Sequence, residues 1–267
     1  MTMKNSNPLI SVITVSYNAQ HIIEKTILSI INQTYKNIEY IIIDGGSTDG
    51  TIDVIKKYDS KITHWISEPD KGIYDAMNKG IKLAKGEWIN FMNCGDSFYS
   101  IDTIRQVVDK LLTTECIDIV YGNTIIKINN NKYIVRPEEL ECISNHLPFC
   151  HQCAFVQTSL AKKHPFDLKY KFVADYNFFY QQYHKKKSFL YINYPIANYQ
   201  IGGDGFTANN VKECINESFQ VNGETITLLK KWEYVMRSFL LKILPYFITN
   251  YIRKNIYKNN PRFIIIK

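Results

Sequence analysis

Polar residues that are capable of binding and acid-base chemistry follow the short apolar runs of this sequence. Asn18, Asp44 and Asp96 each stand within a few residues of the end of such a run. An ionised carboxylate accepts hydrogen bonds, ligates hard cations and takes a proton from a hydroxyl group, and an amide both donates and accepts. These positions are therefore the first candidates for a binding or catalytic site.

Strands and helices alternate through the first hundred residues. The apolar pattern predicts strands at 9–15, 39–43, 62–67 and 88–92 and helices at 22–31, 51–58 and 74–84. Near-continuous apolar strands with helices between them indicate an α/β fold, with a mostly parallel sheet covered on both faces. Such sheets bind ligands beyond the carboxyl ends of their strands. The expected polar cleft at that edge contains Tyr17, Asn18, Asp44, Glu68 and Asp96.

The second hundred residues have a less regular pattern. It predicts helices at 101–112, 175–183 and 209–233, strands at 117–121, 154–157 and 189–192, a hairpin-like pair at 125–128 and 133–135, and a flexible loop at 202–205.

Several familiar chemical motifs are excluded. The glycines of Gly45-Gly46-Ser47-Thr48-Asp49-Gly50 do not lie in the first strand-to-helix turn, where a dinucleotide fingerprint needs them. A phosphate-binding P-loop, a zinc-protease HExxH and a hydrolase GxSxG are also absent from the sequence.

Four motifs in order resemble the family 2 glycosyltransferases. They are Val15-Ser16-Tyr17-Asn18, then Ile43-Asp44-Gly45-Gly46-Ser47-Thr48-Asp49-Gly50, then the run from Asp70 to Gly80, and then Phe91-Met92-Asn93-Cys94-Gly95-Asp96. The resemblance is to the bacterial members that build capsule, exopolysaccharide and O-antigen chains, and it implies the nucleotide-sugar-binding GT-A fold. It divides the chain into a glycosyltransferase domain at 1–229, with a nucleotide-sugar half at about 8–100 and an acceptor half at about 101–229, and an extension at 230–267.

The resemblance implies that a nucleotide sugar contacts residues of all four motifs. Asp44 would accept the imide N–H of a uracil ring, which suits an acceptor-only carboxylate. Local structural roles stay open as alternatives, because Asp44 could cap the following turn, Asp75 could face the helix dipole and Lys71 could be a solvated charge. The implied donor-site residues are Thr14, Ser16, Asn18, Asp44, Gly45, Ser47, Lys71, Asp75, Asn78 and Asn93.

The metal site implied by the resemblance departs from the family's usual pattern. The family usually has two acids where this chain has Gly95 and Asp96. Mg²⁺ often takes one or two carboxylates together with phosphate oxygens, so Asp96 alone is the expected ligand for Mg²⁺ or Mn²⁺ on the diphosphate.

Asp175 resembles the family's general base, which removes the proton of the acceptor hydroxyl as that hydroxyl attacks the anomeric carbon. A helix N-cap role is the alternative, and Asp167 and Asp204 are the rival acids. The resemblance also places His151, Gln152 and Gly203 in the sugar or acceptor pocket. A histidine satisfied within the core is the alternative for His151.

The basic charge of the chain is concentrated in its last residues. Residues 230–267 hold nine Lys or Arg and one acid, a net charge of +8, whereas the whole chain has +7. A stripe of apolar residues at helical spacing over 232–244 predicts an amphipathic helix. This basic, helical extension either packs on the core or binds an anionic membrane surface. The uneven charge argues against a nucleic-acid-binding protein.

The first residues and the apolar runs of the sequence indicate where in the cell the protein is expected. The first residues lack the apolar core of a signal peptide, and no uncharged run reaches 18 apolar residues. We therefore expect a cytoplasmic protein, peripheral on the inner face of the cell membrane. Cys150 and Cys153 lack a second ligand pair for zinc, and we expect all six cysteines to be reduced thiols.

The expected activity is an inverting glycosyltransferase. It would move a hexose or N-acetylhexosamine from a UDP-sugar to a glycan or lipid-linked saccharide. Because the first acid of the metal motif is missing, a catalytically weak nucleotide-binding scaffold is the alternative. A sugar nucleotidyltransferase would need a Gly-rich, Arg-containing first loop, which this sequence lacks.

Overall fold

The computed structural model describes residues 6–128, 131–200, 210–223 and 260–266. Its N-terminal half contains four parallel strands in the order β4-β1-β2-β3. In the β1–β2 pair Ser16 is in register with Asp44, so both residues lie at the same edge of the sheet. The strands are β1 (Ile10–Ser16), β2 (Ile38–Asp44), β3 (His64–Ser67) and β4 (Trp88–Phe91).

Both faces of this parallel sheet are buried by helices, as the apolar strands predict. Successive side chains of a strand point to opposite faces, so Ile13 and Val15 join one hydrophobic cluster while Ile10 and Val12 join another. Helix α3 (Ile73–Leu83) lies in the first cluster, and α1 (Ile23–Ile31) and α2 (Thr51–Lys57) lie in the second.

The second half extends the sheet with strands of mixed direction. Strand β8 runs antiparallel to β4 and β6, whereas β9 runs parallel to β6. The elements are β5 (Ser97–Phe98), α4 (Thr103–Thr113), β6 (Ile119–Ile128), β7 (Asn131–Val135), β8 (Ala154–Gln157), α5 (Thr158–Lys163), α6 (Ala174–His184), β9 (Phe189–Tyr199), α7 (Val211–Asn222) and β10 (Phe263–Ile266).

Several boundaries of this half differ from the sequence predictions. The apolar runs at 117–121 and 125–128 form one strand, β6, because Gly122 and Asn123 continue its pairing with β9 through an irregularity in register. Strand β9 continues to Tyr199, seven residues beyond the end predicted for it at 192. The predicted hairpin is confirmed, since β6 and β7 pair antiparallel with Ile128 opposite Asn131.

The end of the C-terminal extension forms part of the sheet. Strand β10 pairs antiparallel with β7, and Arg262 forms an ion pair with Glu138. The prediction of a helical extension therefore fails for Phe263–Ile266, whose apolar run fits a strand. The predicted helix at 232–244 and the loop at 202–205, including Gly203 and Asp204, lie outside the described residues. Among the described residues no helix is long and apolar enough to cross a membrane.

Candidate active site

Asp44 organises the turn that follows β2. Its carboxylate is fully buried and accepts hydrogen bonds from the hydroxyls of Ser16 (2.9 Å), Ser47 (2.5 Å) and Ser67 (2.8 Å). The backbone N–H groups of Gly46 (3.1 Å) and Ser47 (2.8 Å) donate to the same carboxylate. These are the contacts of the turn-capping role that the sequence left open.

A second carboxylate lies beside the same turn. A Cβ atom at Gly45 would stand 2.6 Å from Oδ2 of Asp70, and 3.4 Å from the ring of Tyr17, which is 65% exposed. Oδ1 of Asp70 accepts the backbone N–H of Gly72 at 2.8 Å. The absence of a side chain at Gly45 thus leaves room for the Asp70 carboxylate next to an exposed aromatic ring.

The turn after β1 is joined to the turn after β2. Oδ1 of Asn18 accepts the backbone N–H of Thr48 at 2.9 Å, and the N–H of Asn18 donates to the Ser47 hydroxyl at 2.8 Å. Thr14 lies elsewhere: its side chain is fully buried and donates to the carbonyl oxygen of Met92. The predicted contact of Thr14 with the nucleoside is through its backbone, so it stays a prediction.

The first turn of α3 contains a local network around Asp75. Its carboxylate accepts the backbone N–H of Lys71 at 3.0 Å and lies 4.0 Å from Nζ of Lys79. Lys79 also pairs with Glu68 at 2.8 Å. These contacts match the alternative role for Asp75, a carboxylate at the positive end of a helix. Lys71 is an exposed residue.

Asn78 has a structural position that the sequence did not predict. It is 9% exposed, and its amide donates to the carbonyl of Phe166 (2.8 Å) and accepts the N–H of Phe166 (2.9 Å). Its donor and acceptor groups both bind backbone, so Asn78 ties α3 to the acceptor half. A role for Asn78 at the nucleotide stays a prediction.

Asp96 follows β4 in a turn that depends on Gly95. The backbone of Gly95 has a φ of +95°, a conformation that favours glycine, and a Cβ there would stand 3.3 Å from Ile22. A second acid at position 95 would strain this turn, which gives a physical reason for the single acid. The hydroxyl of Thr26 accepts the N–H of Gly95 and donates to the carbonyl of Asp96.

The Asp96 carboxylate is held between two segments of the acceptor half. Oδ2 accepts the amide Nε2 of Gln152 at 2.8 Å, and Oδ1 accepts the backbone N–H of Gln200 at 3.0 Å. Burial raises the pKa of Asp96, although these two donors and the charge of His151 oppose the shift. Asp96 is 5% exposed.

A divalent cation fits this site through one protein ligand. Carboxylate oxygen is the ligand type that Mg²⁺ prefers, and each oxygen of Asp96 keeps a lone pair beyond its one hydrogen bond. In the described part of the chain, no group of three His, Cys, Asp or Glu residues could enclose a metal ion. The remaining ligands would have to come from a diphosphate and water.

Asp175 lies in the first turn of α6, two residues after the cap residue Val173. Its Oδ2 is 2.8 Å from Nδ1 of His151, and its Oδ1 accepts the hydroxyl of Tyr74 at 2.7 Å. Val173, not Asp175, occupies the N-cap position, so the N-cap alternative is wrong. The rival Asp167 makes contacts within its own turn: its carboxylate accepts the N–H of Lys169 and its carbonyl accepts the N–H of Tyr170.

The two ionisable groups of this pair stabilise each other's charge. Burial raises the pKa of Asp175, but the hydrogen bond and charge of His151, together with the hydrogen bonds from the Tyr74 hydroxyl and the Tyr176 backbone, outweigh it, and the net shift is downward. For His151, burial lowers the pKa, but the hydrogen bond and charge of Asp175 outweigh it and raise the pKa above its ordinary value. The side chains of His151 and Asp175 are 17% and 16% exposed.

Asn93 faces the other nitrogen of the imidazole. Its Nδ2 is 3.1 Å from Nε2 of His151, and its Oδ1 is buried without a hydrogen-bond partner among the described residues. An amide with an unused acceptor beside a histidine ring can serve either protonation state of the ring, by presenting Nδ2 or Oδ1.

A short helical turn at His151–Cys153 joins the two carboxylates into one cluster. Gln152 binds Asp96 and the adjacent His151 binds Asp175. Gln152 also accepts the thiol of Cys150 at 2.7 Å. The six cysteines are free thiols, as the sequence predicts.

Comparison with known proteins decides the family. Residues 11–185 match the family model described as glycosyl transferase family 2. The chain belongs to glycosyltransferase family 2. The recognition made from the four motifs is confirmed, and the chain is a transferase enzyme by family.

Relatives of this family-2 chain are found in several bacteria. A PGL/p-HBAD biosynthesis glycosyltransferase of Mycobacterium bovis is 31% identical over 175 residues, which cover 64% of this chain and 68% of the relative. The putative teichuronic acid biosynthesis glycosyltransferase TuaG of Bacillus subtilis is 33% identical over 144 residues, which cover 52% of this chain and 57% of TuaG.

Solved structures confirm the GT-A fold. The structure of S. aureus TarS 1–349 with UDP-GlcNAc has a TM-score of 0.64 at 15% identity, covering 89% of this chain and 76% of TarS 1–349. Glucosyl-3-phosphoglycerate synthase of Mycobacterium tuberculosis, in complex with Mn²⁺, UDP and glucosyl-3-phosphoglycerate, has a TM-score of 0.58 at 14% identity, covering 82% of each chain.

The sequence motifs gave no role in the site to three residues of this family-2 chain, namely Asp70, Tyr74 and Gln200. Asp70 and Tyr74 stand inside the third motif, but only the fold brings them against Gly45 and Asp175. Gln200 reaches Asp96 through its backbone N–H, for which no side-chain pattern gives a signal.

Proposed function

We propose that this family-2 glycosyltransferase moves a hexose or N-acetylhexosamine from a UDP-sugar to a saccharide acceptor, with inversion at the anomeric carbon. The observation that supports it is the cluster around His151–Cys153, which joins Asp96 of the nucleotide-sugar half to Asp175 of the acceptor half. A direct displacement needs a leaving-group site and a proton acceptor on opposite sides of one carbon atom. This cluster offers a carboxylate for each purpose.

The donor nucleotide would bind at the turns that follow β1 and β2. Asp44 holds the turn at 45–47, and Asp70 presents a carboxylate beside the exposed ring of Tyr17. A carboxylate accepts the imide N–H of uracil, and an aromatic ring stacks on its face. We therefore propose a uracil site formed by Asn18, Gly45, Ser47 and Asp70, with Asp44 and Ser16 as its support.

Asp96 would bind Mg²⁺ or Mn²⁺ on the diphosphate. A bound cation would neutralise charge that develops on the departing diphosphate. Groups near this position include the amides of Asn93 and Gln152, the imidazole of His151 and the ammonium of Lys25, which donates to the Gly95 carbonyl. They would bind and orient the sugar and the diphosphate.

The acceptor hydroxyl would lose its proton to the pair formed by Asp175 and His151. No covalent enzyme intermediate is needed, because a single displacement breaks the sugar–phosphate bond as the new glycosidic bond forms. A positioned base contributes about 100-fold to 10,000-fold to such a step.

The proposed acceptor is a growing glycan or a lipid-linked saccharide in the biosynthesis of a surface polysaccharide or glycolipid. The names of the Mycobacterium and Bacillus relatives support this class. We further propose that the basic residues of 230–267 bind an anionic membrane, which would place the enzyme on the inner face of the cell membrane.

The experiment that tests the activity is UDP release from a panel of UDP-sugars with Mg²⁺, Mn²⁺ or EDTA. We expect slow hydrolysis of one donor, dependent on metal and lost in Asp96→Asn. UDP binding should persist in that variant, because its uracil site is intact. If the wild type binds UDP but releases none from any donor or acceptor mixture, the proposed transfer is wrong.

That last outcome would favour the second candidate function, a nucleotide-binding scaffold. The single acid at Asp96 and its raised pKa favour this alternative. A chain that binds UDP with equal affinity in EDTA and in Mg²⁺, and turns over no donor, would be such a scaffold.

The membrane proposal needs a variant that keeps β10 in the sheet. Replacing Arg253, Lys254 and Lys258 by Ser removes three positive charges and leaves Arg262 and the strand intact. We expect weaker binding to vesicles that contain anionic lipid, since each basic residue near such a surface contributes about 1 kcal/mol. Replacing Lys56, Lys57 and Lys61, on and just after α2, is the matched control. Equal vesicle binding by the Ser variant and the wild type would refute the proposal.

A further inference from the structure

The backbone segment that leads into α6 is held by side chains from two other helices. We propose that Glu217 of α7 and Tyr74 of α3 are positioning residues, which hold the segment at 171–173 and thereby fix the Asp175 carboxylate beside the acceptor. The proposal deepens the proposed function and rests on it. Glu217 lies beyond the match to the family model, which ends at residue 185.

Three successive backbone N–H groups converge on the carboxylate of Glu217. Its Oε1 accepts the N–H of Lys171 at 2.9 Å, and its Oε2 accepts those of Phe172 at 2.8 Å and Val173 at 3.2 Å. Successive N–H groups of this kind form a concave site for an anion, and hydrogen bonds to an ionised acceptor are stronger than those between neutral groups. The carboxylate therefore anchors the whole segment.

The start of α6 needs this anchor. Val173 occupies the N-cap position, and its side chain has no oxygen that could accept a backbone N–H. In a capping box, a glutamate three residues into the helix binds the N–H of the N-cap residue. Here Glu217 binds that N–H from another helix. The Asp175 carboxylate instead binds His151 and Tyr74.

The packing of α7 directs Glu217 toward this segment. Cys214 and Val221 are 9% and 8% exposed, and they belong to the same hydrophobic cluster as Val173. Positions 214, 217 and 221 follow i, i+3, i+7 spacing, so they lie on one face of the helix. Glu217 thus stands on the face of α7 that packs against the core, where a charge needs hydrogen-bond partners, and the N–H groups of 171–173 provide them.

Tyr74 links the same segment to Asp175 itself. Its hydroxyl lies 2.7 Å from Oδ1 of Asp175 and 3.0 Å from the carbonyl oxygen of Phe172. Burial and the charge of Asp175 raise the pKa of Tyr74, so its proton stays on the hydroxyl. Phe172 is therefore held through its N–H by Glu217 and through its carbonyl by Tyr74. A displacement of Phe172 would reach Asp175 by two routes, the backbone and the Tyr74 hydroxyl.

The position of the Asp175 carboxylate decides whether it can take the acceptor proton. A general base acts only within hydrogen-bond reach of the proton that it removes, and a displacement of about 1 Å can cost about 100-fold in rate. The donor site is formed by the turns after β1 and β2 and not by this segment. Loss of the Glu217 carboxylate should therefore slow the transfer step and leave donor binding unchanged.

The first test is Glu217→Gln, which keeps the size of the side chain but leaves one oxygen to accept N–H groups. With the UDP-sugar that gives the highest UDP release, we expect kcat to fall about 10-fold to 100-fold, while the KM for that donor and the affinity for UDP do not change. Glu213→Gln is the matched control, because Glu213 is an exposed residue in the first turn of α7 and should keep full activity. An unchanged kcat in Glu217→Gln, or equal losses in the two variants, would overturn the proposal.

A double-mutant cycle separates positioning of the base from general damage to the fold. If Glu217 acts through Asp175, the change Glu217→Gln should cost no further activity in an Asp175→Asn background, because residues that act as one unit are not additive. Urea unfolding of the single and double variants checks that each is folded. An equal fold-loss in the wild-type and Asp175→Asn backgrounds would mean that Glu217 acts elsewhere, and the proposal would be wrong.

Tyr74→Phe decides the matter if Glu217→Gln does not fold. This change keeps the ring that packs against Phe166, with ring centroids 5.4 Å apart, and removes only the hydroxyl. We expect the same pattern, a lower kcat with unchanged UDP affinity. Full turnover by Tyr74→Phe would show that the hold on Phe172 does not reach Asp175, which would overturn the proposal.

These outcomes are distinct from the outcomes that test the proposed function. A wild type that releases no UDP from any donor would overturn the transferase assignment. An active wild type together with a fully active Glu217→Gln variant would overturn only the positioning role.

Discussion

Two carboxylates, the buried Asp96 and the partly buried Asp175, meet at one short helical turn, and their pKa values shift in opposite directions. Neutral donors hold Asp96, namely the Gln152 amide and the Gln200 backbone, and burial raises its pKa. Ionisable donors hold Asp175, namely His151 and Tyr74, and its pKa is lowered despite burial. Burial is common to both sites, so the chemistry of the partner decides the direction of the shift.

This difference indicates how one turn can serve two halves of a reaction. Asp96 accepts its hydrogen bonds from neutral groups and its pKa is raised by burial, so it would be stabilised by a divalent ion. Asp175 has a histidine partner that compensates its charge, so it stays ionised and can accept a proton. The adjacent positions of His151 and Gln152 mean that a movement of this turn would affect both carboxylates at once.

The largest expected effect comes from Asp175→Asn. Turnover should fall at least about 100-fold, because a neutral amide cannot take the proton of the acceptor hydroxyl. UDP affinity should not change, since the uracil site is formed by other elements. The measurement is kcat for UDP release together with UDP affinity by calorimetry. Near-normal turnover would remove Asp175 from the mechanism.

The next largest effect concerns Gln152, which donates a hydrogen bond to the Asp96 carboxylate. Gln152→Leu removes the Nε2 donor from Asp96, and loss of such a support typically costs about 10-fold to 100-fold in metal affinity. The activating concentration of Mn²⁺ should rise by that factor. Gln157→Leu is the matched control, because Gln157 donates to the carbonyl of Ile117, 40 residues away in sequence, instead of to Asp96. An equal shift in the two variants would mean that the effect is not specific to Asp96.

A smaller effect on UDP binding should distinguish Asp70 from Asp44, the two acids beside the proposed uracil site. Asp70→Asn should weaken UDP binding about tenfold, which is about 1.4 kcal/mol, through loss of one charged acceptor. Asp44→Asn should instead destabilise folding by about 1–3 kcal/mol, because buried donors lose their acceptor. UDP calorimetry and urea unfolding of both variants provide the comparison. If Asp44→Asn folds normally and loses UDP binding, Asp44 contacts the nucleotide directly.

The sequence predicted the nucleotide-sugar half better than the acceptor half, for a physical reason. In the first half, strand, turn and polar residue are contiguous, so the position of Asp44 or Asp96 follows from local pattern. The His151–Asp175 contact and the Asn78–Phe166 contact join residues 24 and 88 positions apart, and only the packed fold brings them together. The sheet pairing of β10 with β7 is likewise a long-range contact without a local signal.

The smallest expected effect is a pH dependence of the free energy of unfolding. It should distinguish the ionisable His151–Asp175 pair from the Gln152–Asp96 pair, whose donor does not titrate. The raised pKa of His151 stabilises the folded state below the ordinary value of 6.5, and this contribution is lost as pH rises through the folded pKa. The lowered pKa of Asp175 stabilises the folded state above the ordinary value of 3.8, and this contribution is lost as pH falls through the folded pKa. The two contributions therefore overlap between 3.8 and 6.5.

The measurement is the free energy of unfolding of the wild type and of His151→Gln from pH 4 to pH 9. The advantage of the wild type should be largest near pH 5 to 6 and should shrink toward pH 9, where the imidazole is neutral in both the folded and the unfolded state. Gln152→Leu should show no such shrinkage, because Gln152 does not titrate and its loss leaves the His151–Asp175 pair intact. A difference between wild type and His151→Gln that stays constant with pH would mean that the imidazole is neutral throughout. His151 would then contribute only a hydrogen bond. Asp96 and Asp175 would differ in the positions of their hydrogen-bond donors and not in the charge of those donors.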